Sequence, residues 1–200
     1  GKSVQVEFVS VNPTGPLHVG HARGAVIGSS LANVLEAAGY EVQREYYVND
    51  AGTQMRVFYD TLYSRVMQAS GRDVPLPDPA YPGDYLKTLA VDLLNDLGEE
   101  LGSKEKSEVI TKLAPESLSR TIDGIRHTLE RLGVFYDRWF HESRLLSSGR
   151  FDQVMDFLKD SNLIVDRDGA QWFAATKLGL DEDIVVIRSG DADPTYFATD

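Results

Sequence analysis

The chain opens with a mostly apolar run, VQVEFVSV (Val4 to Val11), rich in β-branched and aromatic residues; it predicts a strand buried on both faces of a parallel sheet. From Val19 to Ala38 the apolar positions Val26, Ile27, Leu31, Val34 and Leu35 follow helical spacing, with Gly39 as a C-terminal stop. EVQREYYV (Glu41 to Val48) is strand-like again. Strand, glycine-rich turn, helix and strand make a βαβ unit, the opening of an α/β, Rossmann-like doubly wound parallel sheet.

After the turn signal at Asn49 to Gly52, Met55 to Ala69 reads as helix, whereas VPLPDPAYPG (Val74 to Gly83) holds four of the eight prolines and predicts a loop. Two more helical stretches follow, Asp84 to Leu101 and Glu105 to Leu132, the second containing Pro115, a point where it could break. Beyond Val134 the texture changes. FYDRWF reads as a strand, Phe151 to Asp160 as a helix, and LIVDRDGAQWFAAT as a hairpin turning at Asp168-Gly169. DIVVIRS and PTYFATD read as strands. The pattern divides the chain into residues 1–54, the first half of a nucleotide-binding domain; 55–183, an insertion that is α-rich over Met55 to Gly133 and then mixed; and 184–200, a return to the first sheet.

Composition narrows the classes. Two hundred residues with 42% hydrophobic content can bury a sizeable core. The absence of cysteine excludes disulfides, thiolate metal sites and a cysteine nucleophile, and it fits a cytoplasmic location. A net charge of −11 argues against a general basic surface for nucleic acid, so any RNA contact is expected to be local or elsewhere. No apolar run approaches the roughly 20 residues that a membrane span requires. The chain starts at Gly1 and stops straight after a strand-like run, which suggests a piece of something longer, with a hydrophobic face left exposed towards missing neighbours.

The chemistry concentrates in SVNPTGPLHVGHARGAVIG (Ser10 to Gly28). His18 and His21 fall where a strand's carboxyl end meets a helix N-terminus, the crevice in which doubly wound sheets hold nucleotides. Imidazole N–H groups there could bond phosphate oxygens and stabilise charge developing on phosphorus. Gly20 between them would let a flat adenine ring approach the backbone. Neither a GxGxxG fingerprint nor a P-loop is present at this turn.

HVGH (His18 to His21) resembles the HIGH signature of class I aminoacyl-tRNA synthetases, and VEFVSVNPTGPLHVGHARGAVIG resembles the arginyl-tRNA synthetases in particular. The resemblance runs on through EYYVNDAGTQ, LGVFYDRWFHES, DGAQWFAAT and PTYFATD. It implies activation of L-arginine with ATP, Mg²⁺ arriving with the nucleotide, and transfer to tRNA(Arg) through regions mostly outside this chain. No tightly bound cofactor or structural metal is implied, and a monomeric parent is expected. By the same resemblance His18 and His21 would hold ATP phosphates and act in catalysis, Gly20 would lie under adenine, and Glu7, Ser10, Asn12, Tyr196 and Asp200 would form the arginine pocket.

A guanidinium is planar, permanently charged and carries five donors, so carboxylate acceptors such as Glu7 and Asp200 suit it. A carboxylate at Glu7 in a core-like strand is costly unless a cation visits it. Tyr196 and Asp200 would be about 13 Å apart along a strand, and a helix start after Ala198 would bring them together. Lysine and citrulline would be rejected, the first by geometry and the second by its neutral urea. His127 is expected on the surface, His141 at a loop contact, and Trp139 and Trp172 in packing.

The second class I signature, the KMSKS loop, is absent from these residues, so the chain alone is expected to be nearly inactive and its parent to carry such a loop. Two other readings remain open: a small-molecule nucleotidyltransferase with an HxGH motif, and a non-catalytic arginine- or nucleotide-binding relic.

Overall fold

The computed structural model describes residues 1–188 and 194–199, apart from the side chains of residues 99, 100 and 196. The chain divides into two compact units, Gly1–Phe140 and His141–Asp200.

The first unit opens with the expected βαβ arrangement: β1 (Ser3–Glu7), α1 (Val19–Ala37) and β2 (Glu41–Val48). β1 and β2 pair in parallel, Ser3 opposite Glu41 through Glu7 opposite Glu45, and β3 (Arg138–His141) completes the order β1-β2-β3. α1 ends as the sequence predicts, with Gly39 at φ 87° and the Tyr40 N–H reaching back to the Leu35 carbonyl.

One expectation about this unit is corrected. β1 is not buried on both faces: Val6 and Phe8 are buried while Gln5 and Glu7 are exposed, the alternation of a strand with one covered side. Of the large apolar residues of α1, Leu35 packs partly against the core, but most do not face it. Ala25, Gly28 and Ala32 do, while Val26, Ile27, Leu31 and Val34 are 50–65% exposed. The reason is close approach: a Cβ on Gly28 would lie 2.2 Å from Cγ of Phe8, so only small residues fit against β1.

The α-rich stretch forms α2 (Gly52–Ala69), α3 (Tyr85–Leu97) and α4 (Lys106–Arg131). Phe58, Leu62, Val66, Leu86, Leu93 and Leu113 pack into one core among them. Further along α4, Ile122, Ile125 and Leu129 join the sheet core with Val6, Phe8, Ala25 and Tyr46. Pro115 does not break α4, because it sits inside a helix anchored in one core on either side.

The second unit holds α5 (Glu142–Ser147), α6 (Arg150–Asp160), the strands β4 (Ile164–Arg167), β5 (Ala170–Phe173) and β6 (Ile184–Ile187), and α7 (Tyr196–Thr199). β4 and β5 pair antiparallel around the predicted turn, with Asp168 at φ 55° and Gly169 at φ 74°, and β6 pairs antiparallel with β5. Over its described residues, 194–199, PTYFATD is not a strand. Pro194 makes one bridge with Ile187, the Thr195 N–H and hydroxyl donate to the Val186 and Val185 carbonyls, and helix begins at Tyr196. No helix among the described residues is long and apolar enough to cross a membrane.

Candidate functional site

The strand predicted to run to Val11 stops at Glu7, because Val9 and Ser10 turn the chain at φ 67° and 43°. A β-branched residue rarely adopts that conformation, so something must hold it. The Ser10 hydroxyl accepts the Tyr47 N–H at 3.0 Å and donates to the Phe8 carbonyl at 3.4 Å. The Tyr136 hydroxyl donates to that same carbonyl at 3.1 Å, and the Tyr46 hydroxyl donates to the Val11 carbonyl while accepting the Val11 N–H. Burial pushes both phenol pKa values up, so both hydroxyls keep their protons and remain donors. The rings themselves form one cluster, Phe8 stacking on Tyr136 at 4.6 Å and Tyr46 on Trp139 at 4.4 Å, as packing was predicted for Trp139.

The next residues are gripped by the helical part of the same unit. Asn12 Nδ2 donates to Gln54 Oε1, which also accepts the Tyr81 hydroxyl at 3.1 Å. The Tyr85 hydroxyl donates to the Thr14 carbonyl, and its ring lies so near Gly15 that a Cβ there would be 2.9 Å away. Sequence reasoning missed Tyr46, Gln54, Tyr81, Tyr85 and Tyr136. The one available signal was a pair of tyrosines, Tyr81 and Tyr85, at the end of a proline-rich stretch, where aromatic rings need a packing partner.

His18 is the N-cap of α1, and the histidine pair forms a reciprocal cap. His18 Nδ1 accepts the Gly20 N–H at 3.1 Å, while His21 Nδ1 accepts the His18 N–H at 3.3 Å. The rings stack with centroids 3.6 Å apart. An Nδ1 that accepts cannot carry a proton, so in neutral imidazoles the hydrogen resides on Nε2. Partial burial and the neighbouring His18 both lower the pKa of His21, favouring that neutral form. The pair thus offers two Nε2–H donors at a positive helix end. Gly20 serves this arrangement directly, since a Cβ would come within 2.9 Å of His18 Cε1.

Beside the pair, a groove of about 390 Å³ is lined by residues that include Glu7, Val9, Gly20, His21, Arg23 and Ile27. Glu7 therefore lies with the histidine, on the open side of β1 and not in the core as expected. Among the described residues no cation pairs with it. Of the two register partners it is Glu45 whose carboxylate is buried, and it meets Arg138 Nε at 3.2 Å. Ser10 has its hydroxyl committed to the turn and offers a ligand its main chain. Tyr196 falls in α7, its side chain outside the described set, and Asp200 lies outside the described residues.

The model of the family described as tRNA synthetases class I (R), catalytic domain, matches residues 1–82. Over all 200 residues the chain is 44% identical to an arginine–tRNA ligase of Dehalococcoides mccartyi and 46% identical to one of Heliobacterium modesticaldum, of which it spans 36% and 35%. Among solved structures, one assigned to the arginyl-tRNA synthetases of Campylobacter jejuni matches with a TM-score of 0.83 and 34% identity, covering 100% of this chain and 43% of that one. The arginyl-tRNA synthetase of Thermus thermophilus matches with a TM-score of 0.68 and 27% identity, covering 99% and 34%.

Proposed function

The chain belongs to the arginyl-tRNA synthetase family, and from that premise we propose that it carries the site where L-arginine is activated by ATP. The ATP phosphates meet the head of α1, where the Nε2–H groups of His18 and His21 donate to them, and adenine lies against Gly20. Glu7 receives the guanidinium, and Asn12 and the main chain of Ser10 receive the amino-acid end. An arginine carboxylate oxygen then attacks the α-phosphorus. The bond to the bridging oxygen breaks, and arginyl-adenylate and pyrophosphate result. Imidazole N–H donors oppose the negative charge that grows on phosphate oxygens during that step.

The donors at the head of α1 suit phosphate oxygens and not a hard cation, so Mg²⁺ would enter on the nucleotide. Because the chain spans about a third of its curated relatives, transfer to tRNA(Arg) and full turnover belong to the whole protein. A cytoplasmic, monomeric parent fits this reading. Identity extending through the helical insertion favours the ligase over a small-molecule nucleotidyltransferase or a non-catalytic relic.

The observation that carries the proposal is the reciprocal histidine cap, whose His21 lines one groove with Glu7, a carboxylate that pairs with no cation among the described residues. Calorimetric titration with L-arginine, L-lysine and L-citrulline in the presence of ATP tests it. Arginine should bind in preference to both analogues, and Glu7→Gln should abolish the preference over citrulline. Equal binding of all three would overturn the arginine assignment.

A further inference from the structure

The structure links the helical insertion to the amino-acid end of the site through a chain of three side chains. We propose that Gln54 is a positioning residue: anchored by Tyr81, it fixes the side-chain amide of Asn12 and thereby sets affinity for the amino acid. This rests on the reading of Asn12 as part of the amino-acid pocket.

Gln54 stands on the first turn of α2, and its Oε1 accepts from both Asn12 Nδ2 and the Tyr81 hydroxyl. One oxygen with two donors has one orientation left, and it determines which way the Asn12 amide turns. With Nδ2 committed, Asn12 Oδ1 accepts no hydrogen bond among the described residues, and it is the acceptor available to an ammonium group. Tyr81 is itself held fast: its N–H donates to the buried Thr61 hydroxyl at 3.2 Å and its ring meets Phe58 edge-on at 6.1 Å. The insertion therefore acts as the template for the pocket's polar end. Tyr85, on the neighbouring Thr14 carbonyl, extends the same grip along the loop.

The test uses the ¹⁵N-labelled chain and two variants at Gln54. Gln54→Leu removes the acceptor, whereas Gln54→Glu keeps two acceptor oxygens. In wild type and Gln54→Glu the Asn12 side-chain NH₂ pair should be shifted from the position of a free amide, and in Gln54→Leu it should move to that position. Titrated with L-arginine, Gln54→Leu should bind about tenfold more weakly, the loss expected for one hydrogen bond, while Gln54→Glu retains affinity and ATP affinity is unchanged in all three. Tyr81→Phe should show a smaller loss of the same kind. An Asn12 amide unmoved by Gln54→Leu would overturn the proposal, as would an amide that moves with no change in arginine affinity. If wild type shows the constrained amide but binds no arginine, the pocket reading itself is what fails, and the proposal falls with it.

Discussion

Replacing Gly28 by alanine should destabilise the first unit, although alanine is the better helix former. In an isolated helix the change would gain about 1 kcal/mol. Here the new Cβ would stand 2.2 Å from Cγ of Phe8 and 2.4 Å from its Cβ and Cδ2. Ordinary carbon contacts are about 3.5–4.0 Å, so α1 and β1 must separate by about an ångström or the ring must turn. Turning is opposed because Phe8 is 8% exposed and stacked on Tyr136. Overpacking of this kind costs about 1–3 kcal/mol and more when backbone must move, so a net loss of about 2 kcal/mol is expected. Gly24, one turn earlier on α1, is the internal control, since a Cβ there meets nothing within 4 Å. Urea unfolding followed by circular dichroism should give a lower midpoint for Gly28→Ala and an equal or higher one for Gly24→Ala. Equal midpoints for the two variants would refute the argument that this contact sets the spacing of helix and strand, and hence the groove beside His21.

Ser10→Ala should cost about 1–2 kcal/mol in the same assay, because it strands the Tyr47 N–H that the hydroxyl accepts; Ser10→Gly should cost less, since glycine relieves the left-handed turn. Pro115→Ala should raise stability by up to about 3 kcal/mol, because an interior proline removes a helix hydrogen bond and crowds the preceding turn. Acidification should also weaken the fold through His21. Its folded-state pKa lies below the ordinary 6.5, so the unfolded chain takes up the proton first as pH falls; the contribution is present above that value and lost below it. Between about pH 7.5 and 5.5, wild type should therefore lose more stability than His21→Ala, and parallel profiles would contradict the capping role.

The βαβ opening, the helix of α1 with its Gly39 stop and the hairpin at Asp168-Gly169 were legible because period, cap and turn residue agreed at each. The inward face of α1 was not. Apolar periodicity marked Val26, Ile27, Leu31, Val34 and Leu35, of which Leu35 packs partly on the core, but contact with β1 was set by small residues, a signal that hydropathy does not carry. The early end of β1 was equally hidden, since a left-handed Val9-Ser10 turn depends on tyrosines from β2 and from the segment before β3, 35 or more positions away. The histidine pair was read correctly as lying at a helix start, whereas its reciprocal capping could not be read before both Nδ1 atoms were located. PTYFATD misled because its aromatic and β-branched content resembles a strand, while Pro194 and the bonds of Thr195 end the ladder.

The central claim is that His18 and His21 present Nε2–H groups to the phosphates of ATP. The most direct measurement is ¹⁵N NMR of the histidine rings near neutral pH, with and without ATP. The account predicts that both residues are the neutral Nε2–H tautomer and that ATP shifts their Nε2 resonances while leaving His127 unmoved. Protons on Nδ1, or Nε2 resonances that saturating ATP does not move, would contradict it.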